Sequence, residues 1–461
     1  MTKKLLAYAT YRPHYRLARS AINAALADAA PVSGGRTVAG YDEDAVTMAV
    51  AATRRLGGGV TVADHLYFGT TKSPLLDKSC SLTVHAASGM HDRAFVLDLT
   101  GLRSGFGALK AASQTGGVAA MADLRTGRPG SAEELDGGDG AAAFLFGDAD
   151  DAVAEVLGSA SVPMEVMDVW RAPGASYALV GEDRFVQHVL GKAVRELVTE
   201  LGKVTGYTGA ATTSVVSTLN RRLAGALAAA TGSERVAAAQ EAHRQTTGFC
   251  GAADIGLLLA AALDAAAAGD TILAVSAGGG ADAVLLRALK DGPFATGAGR
   301  DGPGKDVGYH QYLTWRGEIG REPARRPARP PVAPPPAFRD SAWKFGLVGS
   351  RCRNCGKVYL PPERVCRCGA VDQLQPFPVA DLTGTIVAHS TDGLSDSPNP
   401  PSVAALVDFG TTGRLLLELT DAAPEDIADD AEVEMTFRRT YAVDGVPNYF
   451  WKARPKNRSS T

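Results

Sequence analysis

Apolar runs bounded by glycine or polar turns alternate with helical patterns along the first part of the chain. Six short apolar runs predict strands at residues 5–10, 65–68, 93–99, 118–123, 137–148 and 154–161. Helical spacing follows several of them and predicts helices over residues 18–27 and 44–55, and from about residues 82 and 104. This alternation of strands and helices is typical of an α/β fold, in which helices cover the faces of a sheet.

The same pattern returns after residue 166. One apolar stripe over residues 185–201 predicts a long amphipathic helix. Further strands are predicted at residues 214–217, 271–276 and 276–288, and further helices at residues 221–230 and 255–268. A Gly-rich turn leads into an apolar strand in both parts, which indicates an internal duplication. We predict one domain over residues 1–320, with halves at about 1–165 and 166–320.

The composition changes at residue 321. The sequence REPARRPARPPVAPPPA predicts an extended, semi-rigid linker over residues 321–337. A helix and a cysteine cluster are predicted over residues 338–378. Short strands at 384–389, 403–409, 414–419 and 433–438 then predict a small β-barrel domain over residues 379–461.

The cysteine cluster is the most specific local motif. Cys352 and Cys355 are separated by two residues, and Cys366 and Cys368 by one. Two such pairs can close a tetrahedral thiolate site around a structural Zn²⁺, which leaves no open position for catalysis. The second pair is shorter than the usual C-x-x-C knuckle, so a set of metal-free thiols is the alternative.

Charge and hydropathy restrict the partners. The net charge is −3, which gives no reason to expect a nucleic-acid partner. We find no apolar run of the length that spans a bilayer, and the N-terminal sequence MTKKLLAYATY lacks the apolar stretch of a signal peptide. We therefore expect a cytoplasmic protein without a membrane partner.

Several stretches together resemble a known family. They are YFGTTKSPLLDKS, DLTGLRSGFGALKAA, GGDGAAAFLFG, LLLAAALDAAAAGDTILAVSAGGGADA, GYHQYLTWRG and FRDSAWKFGLVGSRCRNCGKVYLPPERVCRCGA. The chain resembles hydroxymethylglutaryl-CoA synthase-like members of the thiolase superfamily that carry a fused C-terminal DUF35 domain. The resemblance implies a duplicated thiolase-like αβαβα domain, followed by a zinc ribbon and an OB-fold. It also implies a coenzyme A thioester as substrate and a homodimer formed through the thiolase-like domain.

The family's catalytic groups do not carry over. By the resemblance, the acyl-accepting cysteine falls on Arg103, the glutamate base on Thr71, and the histidine on Ser217 or Asn220. The family's asparagine falls within residues 247–249. Arginine cannot attack a thioester and threonine is no carboxylate base, so condensation by the usual route is not expected.

Arg103 falls where the strand predicted over residues 93–99, which we expect to be buried, meets the start of a helix. One interpretation is that its guanidinium clamps an anionic group of a substrate. The other is that it folds over the surface or pairs with a carboxylate such as Asp98. Thr71, Ser104 and Ser217 are predicted to contact the substrate.

Other residues could supply chemistry at the same cleft. Cys250 is a candidate nucleophile, although a buried structural cysteine is the simpler interpretation. Cys80, at a predicted helix start, has the same two interpretations, with a lowered thiol pKa in the functional one. His243 is a candidate acid or base and otherwise a surface histidine. Tyr309 is a candidate phenol donor, since similar thiolase-like steroid aldolases are thought to use tyrosines, and core packing is its alternative.

Three hypotheses remain open. The first is an acyl-CoA enzyme that makes or breaks carbon–carbon bonds, by an aldol or retro-aldol reaction, without an acyl-enzyme. The second is a hydroxymethylglutaryl-CoA synthase-type acyltransferase with a displaced cysteine nucleophile. The third is a non-catalytic acyl-CoA-binding scaffold that supports another thiolase-like subunit.

Overall fold

The chain forms two compact units. The computed structural model describes residues 2–27, 32–220, 222–225, 236–293, 304–322, 325, 327 and 329–456. The first, here called the sheet unit, comprises Met1–Ala39, Asp44–His85 and Met90–Tyr312. The second, the barrel unit, comprises Gly40–Glu43, Ala86–Gly89 and Leu313–Thr461. Within the described ranges, the length and hydropathy of every helix fall short of a membrane span.

The sheet unit is built on one nine-stranded sheet with two small accessory sheets. Its strands are β1 (Lys4–Tyr11), β2 (Tyr15–Ala18), β3 (Gly35–Val38), β4 (His65–Thr70), β5 (Phe95–Thr100), β6 (Gly117–Leu124), β7 (Asp139–Gly147), β8 (Ala154–Pro163), β9 (Val169–Trp170), β10 (Leu179–Val180), β11 (Thr213–Ser217), β12 (Thr271–Ala277), β13 (Gly280–Ala288) and β14 (Lys305–Asp306). Its helices are α1 (Arg19–Ala25), α2 (Ala45–Arg54), α3 (Ser81–Ser88), α4 (Ser104–Thr115), α5 (Ala132–Asp136), α6 (Asp183–Thr205), α7 (Val236–Thr246), α8 (Asp254–Asp264) and α9 (Tyr309–Arg316), of which α3 and α9 continue past the limits of the unit.

The order of the large sheet is β11-β12-β13-β8-β1-β7-β6-β4-β5. Strand β1 is antiparallel to β7, β7 is antiparallel to β6, and β6 is parallel to β4. The other half of the sheet repeats this pattern. Strand β8 is antiparallel to β13, β13 is antiparallel to β12, and β12 is parallel to β11. The topology therefore repeats, which confirms the duplicated α/β fold predicted from the sequence.

Two helices, one from each repeat, pack into one core. The apolar faces of α4 and α8 join residues of β1, β6, β7 and β12 in a single buried cluster. The apolar stripe of helix α6 packs against residues of β11, β12 and β13 and forms a second buried cluster. Burial of these faces supplies most of the driving force for the fold, because apolar burial dominates folding energetics.

Strand β5 corrects one prediction. Its apolar run was expected to be buried, but it is the last strand of the large sheet. Phe95 is 55% exposed and Leu97 is 41% exposed. A terminal strand has a neighbour on one side only, so an apolar run there marks an edge instead of a centre.

The barrel unit contains a ribbon and a closed barrel. Its elements are the helices α10 (Pro334–Arg339) and α11 (Ser341–Gly346), and the strands β15 (Val348–Cys352), β16 (Val358–Tyr359), β17 (Leu374–Pro378), β18 (Gly384–Asp392), β19 (Ser402–Asp408), β20 (Arg414–Leu419), β21 (Glu432–Val443) and β22 (Val446–Pro455). Strand β15 pairs with β16 and β17, and β18-β19-β20-β22-β21 close into the predicted small barrel.

Two local predictions change. The predicted linker is helical at its end, because prolines occupy the first positions of α10, where the missing N–H costs no helical hydrogen bond. Strand β22 was not predicted, although Asp444 and Gly445 form the two-residue turn that joins it to β21. The predicted helix over residues 221–230 lies largely outside the described residues. The predicted domain limits stay a prediction.

Candidate functional site

Arg103 occupies the position just before α4 and pairs with an acidic residue of β13. Its Nε donates to Asp282 Oδ2 and its Nη2 donates to Asp282 Oδ1, at 2.8 Å each. The Asp282 side chain is 2% exposed, whereas that of Arg103 is 38% exposed. The predicted alternative, in which Arg103 pairs with a carboxylate, is confirmed in kind, but the partner is Asp282 and not Asp98. The Asp98 carboxylate instead accepts the backbone N–H groups of Cys80 and Ser81 at the start of α3.

The turn between β12 and β13 holds this ion pair. Gly279 has a φ of +58° and lies beside the Arg103 side chain, where an added Cβ would stand 3.6 Å from Arg103 Cδ. The Gly279 N–H donates to Asp168 Oδ2 at 2.7 Å. Asp168 therefore fixes the turn from which Asp282 follows.

Thr71 lies at the end of β4 and contacts a buried carboxylate. Its Oγ1 lies 2.8 Å and 2.7 Å from the two oxygens of Asp123, which is fully buried on β6. The backbone N–H groups of Thr71 and Ala252 also donate to Asp123 Oδ2, at 3.3 Å and 2.9 Å. Arg125 Nη1 donates to Thr71 Oγ1 at 3.1 Å. Residue 71 is a threonine and not a glutamate, but Asp123 supplies a carboxylate from the neighbouring strand β6.

Glycines bring these elements close together. A Cβ at Gly69 would lie 2.6 Å from the carbonyl oxygen of Ser104, so β4 runs directly against the start of α4. A Cβ at Gly105 would lie 1.9 Å from the carbonyl oxygen of Ala252. The starts of α4 and α8 therefore meet at the ends of β4 and β6, where two helix N-termini favour negative charge. The Ser104 side chain is buried there.

His243, Cys250 and Asp254 form a second buried cluster, with their ligand atoms within 4.8 Å of one another. His243 Nε2 lies 3.2 Å from Asp254 Oδ1, which also accepts the Cys250 N–H at 3.1 Å. Burial, together with the charges of Asp254 and Asp139, raises the pKa of Cys250 well above its ordinary value. Burial acts to raise the pKa of Asp254 as well, but the His243 hydrogen bond and charge outweigh it and lower that pKa.

The pKa values of Cys250 and Cys80 argue against either thiol as a nucleophile. Cys250 is a protonated thiol at neutral pH, and a thiol is a poor nucleophile compared with a thiolate. Burial also raises the pKa of Cys80, so the lowering expected from a helix start is wrong. His243 is buried, and its interpretation as a surface histidine is wrong.

Two other predicted residues have structural partners, and a third is buried. Asn220 Oδ1 accepts the Leu223 N–H at 2.9 Å, as a helix cap does. The Tyr309 hydroxyl donates to the carboxylate of Glu134, a fully buried residue, at 3.0 Å. Ser217 is buried at the end of β11.

The four cysteines of the ribbon come together as predicted. The Sγ atoms of Cys352 and Cys368 are 3.8 Å apart, and those of Cys355 and Cys366 are 3.4 Å apart. Tetrahedral zinc with Zn–S bonds of about 2.3 Å needs sulfur atoms about 3.8 Å apart, so the set fits. The backbone N–H of Cys368 and the Tyr359 hydroxyl lower the pKa of Cys366 to about 6, which favours the ligating thiolate.

The acidic partners Asp123, Asp282 and Asp254 were not predicted from the sequence. Each had a signal that could have found it. Asp123 ends an apolar strand, Asp282 interrupts a run of small residues, and Asp254 opens a helix four residues after Cys250. A carboxylate within or next to an apolar element is buried on folding, and a buried carboxylate needs a hydrogen-bond donor as its partner.

Comparison with known proteins identifies the ribbon and the C-terminal region. The family model of the ChsH2 rubredoxin-like zinc ribbon domain matches residues 345–372. A DUF35 domain-containing scaffold protein of Methanothermobacter thermautotrophicus is 31% identical over 120 residues, which cover 24% of this chain and 89% of that protein. The corresponding protein of Methanocaldococcus jannaschii is 28% identical over 118 residues, covering 24% of this chain and 83% of that protein.

The sheet unit has relatives of another kind. The hydroxymethylglutaryl-CoA synthase of Pyrobaculum arsenaticum is 30% identical over 175 residues, which cover 34% of this chain. The chain spans half the length of that relative. A crystal structure of HMG-CoA synthase complexed with CoA superposes with a TM-score of 0.59 and 16% identity, over 68% of this chain and 90% of that one. At this identity the likeness establishes the thiolase-type fold alone.

Proposed function

The chain belongs to the family of DUF35 domain-containing proteins, with a hydroxymethylglutaryl-CoA synthase-like sheet unit ahead of that domain, and from this premise we propose its function. We propose that it binds acyl-CoA thioesters and makes or breaks a carbon–carbon bond in an aldol or retro-aldol reaction without an acyl-cysteine intermediate. The observation that carries the proposal is the Arg103–Asp282 ion pair at the start of α4.

The pair leaves part of the guanidinium available. Asp282 engages Nε and Nη2, while the Nη1 edge makes no hydrogen bond within the described ranges of the chain. A fixed, partly exposed arginine of this kind suits an anion, such as the oxyanion of a thioester enolate. The buried Asp282 holds the guanidinium in one orientation, and such preorganised donors stabilise the charge that develops in a transition state.

An acyl-enzyme has no support from the thiols. Cys250 and Cys80 are buried and their pKa values are raised, so neither forms a thiolate readily. An aldol reaction of a thioester needs an acid or base and an oxyanion donor but no nucleophile on the enzyme. The Arg103 guanidinium can supply the oxyanion donor that this reaction needs.

A second candidate function is a non-catalytic scaffold. The two DUF35 relatives above are themselves named scaffold proteins. In that case the chain binds acyl-CoA and a second thiolase-like subunit, and the partner performs the chemistry.

One experiment separates these functions. The purified full chain is titrated with a panel of short acyl-CoAs, and products and intact protein mass are followed by mass spectrometry. We expect binding, turnover, and no acyl adduct on any cysteine. Arg103→Met should lower turnover about 10²–10³-fold, as loss of an oxyanion donor does. Arg195→Met, at an exposed position of α6, serves as the matched control.

The other outcomes are equally informative. An acyl adduct on Cys250 or Cys80 would establish a displaced-nucleophile acyltransferase. Binding without turnover, together with co-purification of another thiolase-like chain, would establish the scaffold. Failure of every acyl-CoA to bind would remove the thioester premise.

Strand β5 supports a homodimer as part of this proposal. It is an edge strand of the large sheet and exposes Phe95 and Leu97. Unpaired strand edges of this kind can pair with a second copy. Leu97→Lys should halve the mass measured by light scattering, whereas Val204→Lys on α6, also at an exposed apolar residue, should leave it unchanged.

A further inference from the structure

Thr71 and Asp123 form a hydrogen-bonded pair beside the start of α4. The Thr71 hydroxyl lies 2.7–2.8 Å from both carboxylate oxygens, and Asp123 is fully buried. Two backbone N–H groups, from Thr71 and Ala252, fix the same carboxylate. The position of Asp123 is therefore determined from three directions.

The direction of the Thr71 hydroxyl proton follows from its partners. A carboxylate only accepts hydrogen bonds, so the hydroxyl donates to Asp123. Arg125 Nη1 donates to Thr71 Oγ1 at 3.1 Å and occupies one lone pair of that oxygen. Within the part of the chain that the structure describes, no other donor reaches the second lone pair. Thr71 is half-buried, so that lone pair can receive a proton from a bound molecule.

We infer that Thr71 and Asp123 together accept the proton next to the thioester carbonyl, an inference that rests on the proposed function. The substrate C–H bond breaks, and its electron pair forms the enolate. The proton goes to Thr71 Oγ1 while the hydroxyl proton of Thr71 passes to Asp123. The negative charge thus moves from Asp123 to the enolate oxygen, so charge and protons balance.

The location of the pair agrees with this assignment. Gly69 packs on the backbone of Ser104, so β4 and α4 meet where Thr71 follows the strand and Arg103 precedes the helix. The proton acceptor and the guanidinium that receives the enolate oxygen stand at the same end of these two elements. In this assignment Thr71 is the catalytic residue, and Asp123 is a positioning residue that takes up the hydroxyl proton of Thr71 and so gives up its negative charge.

The test uses proton exchange, which needs no second substrate. The full chain is incubated with butyryl-CoA in D₂O, and deuterium at the carbon next to the thioester is measured by mass spectrometry. Thr71→Val keeps the shape of the side chain and removes the hydroxyl, and it should lower exchange about 100-fold or more. Thr71→Ser restores the hydroxyl and should retain exchange within about tenfold of the wild type. Thr199→Val, exposed on α6, is the surface control.

Asp123→Asn provides a second variant. The amide can still accept the N–H groups of Thr71 and Ala252, but it cannot take up a proton at neutral pH. It should lower exchange as much as Thr71→Val while butyryl-CoA binding changes only a few-fold. Exchange that persists in Thr71→Val, or butyryl-CoA binding without exchange in the wild type, would overturn this inference and leave the binding premise intact. Absence of butyryl-CoA binding would instead overturn the proposed function and this inference with it.

Discussion

Asp282 holds Arg103 by two parallel hydrogen bonds of 2.8 Å, and only the arginine reaches the surface. A cation at the start of a helix opposes the helix dipole, which favours negative charge there. The carboxylate of Asp282 offsets this repulsion. The pair therefore explains how the fold tolerates arginine at a position that suits a thiolate.

Arg103→Met should leave Asp282 buried without its partner. We expect the free energy of unfolding of the sheet unit to fall by about 1–3 kcal/mol, the cost of one unsatisfied buried group. The double variant Arg103→Met/Asp282→Asn should recover part of this loss, because it removes the buried charge. Urea denaturation measures both variants. A double variant no more stable than the single one would contradict the assigned pair.

Cys250 should be inert to alkylation in the folded protein. Its pKa is raised, so the thiol keeps its proton at pH 8, and its side chain is fully buried. Peptide mapping after iodoacetamide treatment should find Cys250 unmodified in buffer and modified in urea. Rapid native labelling of Cys250 would contradict this and favour the displaced-nucleophile acyltransferase.

The same thiol should make stability depend on alkaline pH. The unfolded cysteine ionises near pH 8.5, whereas the folded one keeps its proton to higher pH. Its contribution to stability is therefore fully present below about pH 8.5 and declines as pH rises above that value. Cys250→Ala should flatten this alkaline decline, as followed by urea denaturation between pH 7 and pH 10.

The repeats of the sheet unit could be predicted because their signals are local. Apolar runs, Gly-rich turns and helical stripes each occupy 10–20 residues and depend little on distant parts of the chain. The edge position of β5 could not be predicted in this way, since an apolar run looks alike at the centre and at the edge. Only the order of all nine strands distinguishes them.

The candidate site was predictable in its positions but not in its partners. The position of Arg103 followed from a strand, a turn and a helix, whereas Asp282 lies 179 residues away in sequence. Likewise, Thr71 meets Asp123 because β4 and β6 are neighbours in the sheet. Such pairs depend on long-range strand order, which a single sequence does not encode locally.

Gly105 should be sensitive to a single added methyl group. A Cβ there would lie 1.9 Å from the carbonyl oxygen of Ala252, whereas a Cβ at Gly107 on the same helix would meet only Leu99 Cδ1 at 3.4 Å. Gly105→Ala should therefore force α4 and α8 apart and lower stability by about 1–3 kcal/mol, as overpacking does. Gly107→Ala is the matched control and should be neutral or stabilising, because alanine favours helix. Equal thermal shifts for the two variants would contradict the close approach.

The zinc ribbon should bind one metal ion whose affinity depends on Tyr359. The Tyr359 hydroxyl lies 3.2 Å from Cys366 Sγ and accepts the Arg367 N–H at 2.9 Å, so its own proton points to the sulfur. Loss of such a donor next to a ligand typically weakens metal binding about 10–100-fold. Tyr359→Phe should show this loss in competition with a chromophoric chelator, and Cys366→Ser should abolish stoichiometric zinc. Tyr441→Phe in the same unit is the control and should bind zinc like the wild type. If Tyr359→Phe also bound zinc like the wild type, the short Cys366–Cys368 knuckle would hold the metal without this hydroxyl.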